Sequence, residues 1–143
     1  MSDATETIAL QQTPFFAGLP LEDLEAIARV GSPVTFEPSA TIVAEGDPGD
    51  AMYIVLSGTA EVDVGGRFHA LTKGDFFGEM ALISRRTRMA TVKAKESVEA
   101  LRIPADAFQS FLLQHPSVAV SMLREIVDRL REVEQRIDAW MAP

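Results

Sequence analysis

Between Gly74 and Val92 the sequence sets out groups that could hold a small anion. Gly74-Asp75-Phe76-Phe77-Gly78-Glu79-Met80-Ala81-Leu82-Ile83 is followed at a short interval by Arg88-Met89-Ala90-Thr91-Val92. A glycine turn, a carboxylate, a short apolar turn and an arginine come in that order, between strand-like runs. The glycine lets a backbone approach closely. The turn Met80 to Ile83 offers N–H groups at a helix start, which suits an anion. Glu79 can accept hydrogen bonds from a hydroxyl, and Arg88 can bracket a phosphate with two parallel donors. Together these groups suit a molecule carrying both a sugar hydroxyl and a phosphate.

The elements that must position them read as strands flanked by helices. Pro20-Leu21-Glu22-Asp23 opens a helix with acids in its first turn, and Leu21, Leu24, Ile27 and Ala28 form its apolar stripe up to Gly31. From Val34 to Ile103, β-prone runs recur at Val34–Phe36, Thr41–Val43, Met52–Leu56, Ala60–Val64, Phe68–Leu71, Ala90–Lys93 and Val98–Ile103. Gly65-Gly66 is a two-residue hairpin signal. Ala60, Val62 and Val64 alternate with Glu61 and Asp63, which predicts one buried and one wet face. Many short antiparallel strands suggest a barrel, roll or sandwich. Pro104 is expected at a first helical position, with Phe108, Phe111 and Leu112 on the apolar face. Pro116 opens a longer helix to about Trp140. Its Leu123, Ile126, Leu130, Val133, Ile137 and Trp140 alternate spacings of three and four, a heptad seam. That seam could dock on its own roll or pair with its copy.

Composition narrows the function. The 143 residues fit one domain, and 47% hydrophobic residues suffice for a core. No run reaches the length of a membrane span and no signal peptide is visible. The polar residues 1–12 are expected to be disordered or frayed. The absence of cysteine excludes disulfides and thiolate zinc sites and fits a cytoplasmic protein. A net charge of −8 argues against direct nucleic-acid binding and requires a local positive pocket for any anion, which draws attention to Arg85, Arg86 and Arg88. His69 and His115 lack metal-like companions, so no metal site is expected and a cupin-like metalloenzyme is disfavoured.

The sequence resembles the cyclic nucleotide-binding domain family, found in catabolite-activator-type regulators, regulatory subunits of cyclic-AMP-dependent kinase and some gated channels. Phe77-Gly78-Glu79-Met80-Ala81-Leu82 and Arg88-Met89-Ala90-Thr91-Val92 match the two halves of its phosphate-binding cassette without insertion or deletion. Glu45-Gly46-Asp47-Pro48-Gly49-Asp50, Tyr53–Gly58 and Pro14–Leu19 resemble further family segments, so the likeness covers about Thr13 to Arg136. It implies a mainly β fold with flanking helices. That fold is an antiparallel, jelly-roll-like β-roll over about residues 33–103, with one N-terminal helix and two C-terminal helices over about 104–140, the last one long. The binding domain would then span residues 13–140.

Carried onto this chain, the resemblance implies ligand contacts from Gly78, Glu79, Met80, Ala81, Arg88, Met89 and Thr91. Glu79 alone would be an ordinary acid at a helix start; in this motif it resembles the glutamate that accepts the ribose 2′-hydroxyl. Arg88 alone would be a surface arginine; by position it matches the arginine that pairs with the cyclic phosphate. The backbone N–H groups of Met80, Ala81 and Met89 are further phosphate donors. Leu130, Val133 and Glu134 are placed as a lid over the base. Arg85 and Arg86 are read as solvated loop charges, and Gly46, Asp47, Gly49 and Asp50 as turn architecture. Two positions depart from the pattern. Thr87 replaces the usual proline, and Met89 replaces a small or hydroxyl residue. In the family a threonine at the latter position favours cyclic GMP, so methionine tilts the expectation to cyclic AMP.

The expected function is therefore a cyclic-nucleotide sensor signalling through its last helix, without enzymatic activity. It would form a homodimer through that helix and act on an effector protein, without contacting membrane. The alternative is a degenerate module that binds no nucleotide and serves in dimerisation or docking.

Overall fold

The computed structural model describes residues 2–14, 16–84 and 86–141. The expectations placed on Phe15 and Arg85 lie outside these residues.

Among the described residues, eight strands form two antiparallel four-stranded sheets. The first sheet has the order β1 (Ser32–Phe36), β8 (Val98–Pro104), β3 (Ala51–Ser57), β6 (Phe76–Phe77). The second has the order β2 (Thr41–Val43), β7 (Thr91–Ala94), β4 (Ala60–Val64), β5 (Arg67–Leu71). Each run anticipated from the sequence is a strand, with ends moved by up to two residues. The hairpin at Gly65-Gly66 joins β4 to β5. Both glycines have positive φ (58° and 85°), as a type I′ turn requires, and the Gly66 N–H donates to Asp63 Oδ1 at 2.9 Å. The alternation on β4 holds at Ala60, which is buried, and fades outward to Val64, which is exposed at the hairpin tip.

Strand β3 explains the two-layer plan. Its run Ala51-Met52-Tyr53-Ile54-Val55-Leu56 is buried throughout, so both faces are covered. Met52, Ile54 and Leu56 point into a core shared with the helices, while Ala51, Tyr53 and Val55 join the core between the sheets. Its neighbour β8 divides the same way: Leu101 and Ile103 face the helices, and Val98 and Ala100 face the other sheet. Period-two alternation thus serves two apolar layers instead of one layer and water.

The helices cover one face of the first sheet. Helix α1 (Ser2–Gln12) overturns the expectation of a frayed N-terminus. Its sequence shows no apolar stripe, but Ala9 and Leu10 are buried against α2 (Leu21–Val30) and β3, so tertiary packing holds it. On α2, Leu24, Ile27 and Ala28 are buried, whereas Leu21 at the first position is exposed. Pro104 ends β8 with extended backbone (ψ 140°), so α3 (Ala105–Gln114) starts one residue later than expected. Phe108 on α3 is fully buried and meets the Phe16 ring edge to face at 6.0 Å.

Helix α3 also ties the cassette to the helical layer. Gln109 Nε2 donates to the Leu82 carbonyl at 2.9 Å. Gln109→Ala is expected to cost about 0.5–1.5 kcal/mol, the usual net worth of one such bond. Urea unfolding should show this as a lower midpoint with an unchanged slope.

Helix α4 (Pro116–Met141) buries only Val118 and Met122 among its described residues. The seam residues Leu123, Ile126, Leu130, Val133, Ile137 and Trp140 are all exposed, Trp140 to 85%. The reading of that helix as docked on its own roll is therefore corrected beyond Met122. His115 closes α3, with its ring stacked on Phe111 at 4.3 Å and Nδ1 3.1 Å from the Phe111 carbonyl.

Candidate ligand-binding site

A cavity of about 380 Å³ opens between the second sheet and the loop following β6. That volume lies in the usual range for small-ligand pockets. Val43, Val62, Phe77 and Val92 make its apolar wall. Gly78, Glu79, Met80 and Ala81 line it from one side, and Arg88 and Met89 from the other. Glu79 and Arg88, singled out in the sequence, therefore line one space.

Gly78 sets the geometry of the first arm. It has φ 78° and ψ 14°, the left-handed region, and turns the chain from β6 into a 3-10 turn at Glu79–Leu82. A Cβ there would collide with Arg88 Nη1 and stand 2.9 Å from the Ala51 carbonyl. Only glycine satisfies both the backbone angle and the space. The Ala81 N–H donates to the Gly78 carbonyl at 3.0 Å, so it is engaged within the turn.

Arg88 is 8% exposed although it carries a permanent charge. Its Nη2 donates to the Ala51 carbonyl at 2.8 Å and lies 3.5 Å from Asp50 Oδ1. Its backbone is clamped as well. The Arg88 N–H donates to the Asp47 carbonyl at 2.7 Å, and the Gly46 N–H donates to the Arg88 carbonyl at 2.9 Å. The loop between β2 and β3 thus fixes the position of the guanidinium. Gly46 (φ 89°) and the Asp47 carbonyl act as turn architecture, as expected. Asp50 does more: its other oxygen lies 3.4 Å from Arg102 Nη2, so one carboxylate serves two guanidiniums. Arg102 Nε in turn donates to the Tyr53 hydroxyl at 3.3 Å. The Asp50 side chain is 67% exposed, so solvent screens both pairs and each is worth little by itself. Sequence reasoning missed this role because the partners lie 38 and 52 residues away.

The remaining expectations divide. Arg86, read as a solvated charge, is exposed but also lines the cavity, as does Thr87. Met89 is 77% exposed and lines the cavity. Thr91 does not line the cavity. Its Oγ1 accepts from the Glu45 N–H at 3.0 Å, which ties the start of β7 to the loop after β2. Leu130, Val133 and Glu134 do not line it either; they stand exposed on the outer part of α4. The apolar wall was not found from the sequence. Phe77 stacks on Tyr53 at 5.1 Å through the short β3–β6 pairing, and Val43, Val62 and Val92 come from three different strands.

Residues 33–115 match the model of the cyclic nucleotide-binding domain. The chain belongs to the cyclic nucleotide-binding domain family. Among solved structures, it is similar to the N-terminal domain of a transcriptional regulator from Streptomyces coelicolor, with a TM-score of 0.82 and 30% identity over 90% of this chain and 94% of that one. It is 37% identical to a cAMP-dependent protein kinase regulatory subunit of Aspergillus fumigatus over 106 residues, which cover 72% of this chain and 26% of that protein. It is also 33% identical over 142 residues to Glutaminase 1 of Bradyrhizobium diazoefficiens, covering 95% of this chain and 23% of that one. The chain thus spans about a quarter of the length of these two relatives.

As a cyclic nucleotide-binding domain, the fold holds its cassette between two anchors. The 3-10 turn is fixed to α3 through Gln109, and the arginine arm is fixed to β3 through Ala51. No helix of the described residues is long and apolar enough to cross a membrane.

Proposed function

We propose that this domain binds cyclic AMP and acts as a sensor that biases the position of its C-terminal helix. The observation that carries the reading is the buried Arg88, its guanidinium held by the Ala51 carbonyl, lining the same cavity as Glu79. Arg88 offers the cyclic phosphate charged donors in a partly desolvated site. Glu79 offers the ribose 2′-hydroxyl an acceptor. The similarity to a cAMP-dependent protein kinase regulatory subunit supports cyclic AMP as the ligand. So does Met89, which has no hydroxyl where the family's threonine favours cyclic GMP. Ligand favours whichever helix arrangement contacts it better, which is a population shift. The exposed seam of α4 supports a homodimer through that helix, working on an effector protein in the cytoplasm. The domain binds nucleotide without transforming it: incubation with cyclic AMP should leave the diester intact, and its steady opening to the monophosphate would refute this.

Calorimetry with cyclic AMP and cyclic GMP, on wild type and Glu79→Ala in parallel, tests the site. Hydrogen bonds to charged groups are worth about 1.5–3 kcal/mol, so the variant should bind cyclic AMP about tenfold or more weakly. Equal affinity in both proteins would remove Glu79 from the site.

The second reading, a ligand-free dimerisation module, draws on Asp50, whose carboxylate already lies beside Arg88, and on the exposed seam. A thermal titration separates the two. Ligand at 100 times its dissociation constant should stabilise the fold by about 2.7 kcal/mol. A melting temperature unmoved by cyclic AMP, cyclic GMP and cyclic CMP would favour the module.

A further inference from the structure

We infer that Thr87 is a phosphorylation site, and that a phosphoryl group there shuts the cavity to its anionic ligand. The inference rests on the cyclic-nucleotide reading above. Thr87 lies in the irregular stretch between the 3-10 turn and β7, is exposed, and lines the cavity. Among the described residues its hydroxyl has no hydrogen-bond partner. The hydroxyls before and after it in the chain are both engaged. Ser84 Oγ donates to the Met80 carbonyl at 2.9 Å, and Thr91 Oγ1 accepts from the Glu45 N–H at 3.0 Å. The backbone on either side of Thr87 is held. A Cβ on Gly49 would collide with the Arg86 carbonyl, and the Arg88 N–H donates to the Asp47 carbonyl at 2.7 Å. The loop between β2 and β3 therefore keeps this free hydroxyl at the cavity.

The surroundings suit one kind of enzyme. Arg85-Arg86 precede Thr87 in the sequence, and Arg86 is exposed. A kinase that reads arginine through its own carboxylates has complementary charge for this segment, in a chain whose net charge is −8. In the transfer, the Thr87 oxygen attacks the γ-phosphorus of a nucleoside triphosphate. The new oxygen–phosphorus bond forms as the bond to the bridging oxygen breaks, nucleoside diphosphate leaves, and the hydroxyl proton passes to the kinase's base. The consequence is electrostatic. Arg86 and Arg88 line the cavity and each brings one positive charge. A phosphothreonine brings about −1.5 to −2 at neutral pH, which offsets both. The local positive pocket that an anion needs in this acidic protein is then gone.

The test treats the protein with an arginine-directed serine/threonine kinase and ATP, maps the product by mass, and follows cyclic AMP binding by calorimetry before and after phosphatase. A phosphoryl group should appear on Thr87, and Thr87→Val should abolish its uptake. Thr87 is exposed, so the phosphoprotein should melt within a few degrees of the unmodified protein. It should bind cyclic AMP about tenfold or more weakly, with affinity restored by phosphatase. Transfer to Ser84 in place of Thr87, no transfer at all, or a phosphoprotein that binds cyclic AMP as tightly as before would overturn the inference and leave the cyclic-nucleotide reading standing. Unmodified protein that binds no cyclic AMP would instead overturn that reading, and this inference with it.

Discussion

Arg88→Ala is expected to weaken cyclic AMP binding by at least about tenfold. Truncating one partner of a desolvated charged pair typically costs about 2–5 kcal/mol, and each 1.4 kcal/mol is a factor of ten. The side chain is buried and has two ties inside the protein, to the Ala51 carbonyl and to Asp50. Its removal therefore also affects the empty fold. It leaves a buried carbonyl without its donor, at about 1–3 kcal/mol. Denaturation must accompany calorimetry so that lost folding is not read as lost binding. Arg88→Lys separates the two effects. It keeps the charge beside Asp50 but has no planar fork, so affinity should fall while most of the stability remains. Wild-type affinity in a folded Arg88→Ala protein would reject the phosphate assignment.

Gly78→Ala should disable the same site from the other arm. The left-handed backbone costs a residue with a Cβ about 1–2 kcal/mol. The new methyl would also press on the Arg88 guanidinium and the Ala51 carbonyl, and overpacking of this kind typically costs about 1–3 kcal/mol. We expect a total loss of about 2–5 kcal/mol in stability, with the guanidinium displaced from its seat and cyclic AMP affinity reduced. A variant as stable as wild type, binding cyclic AMP equally well, would show that the turn can be rebuilt without consequence.

Local signals in the sequence carried far. The 3-10 turn, the hairpin at Gly65-Gly66 and the strands β2 and β4 are set by residues within a few positions of one another, and each was legible. The parts that escaped depend on distant partners. Strand β6 is two residues long and exists because Phe76 and Phe77 pair with Ile54 and Tyr53. Helix α1 has no stripe of its own and is held by what Ala9 and Leu10 touch. At the site, Glu79 and Arg88 could be named from motif order. Asp50, which serves Arg88 and Arg102 together, could not, because ion pairing across the sheet leaves no periodic trace. The place of Leu130, Val133 and Glu134, which stand away from the cavity here, was hidden for a related reason. The helical spacing of α4 says which residues share a face, but not where that face lies.

The order of strands has a consequence for synthesis. Strand β8, whose last residue is Pro104, sits between β1 and β3, so the first sheet lacks a central member until that segment has left the ribosome. Strand β2 likewise waits for β7. Most of the β-layer is thus closed by contacts between the beginning and end of a stretch some seventy residues long. Such distant pairings make for slow folding. A nascent chain halted near Ala90 would carry β3 without β8 beside it and without β7 to complete the sheet facing it, a natural substrate for a holding chaperone and a seed for aggregation.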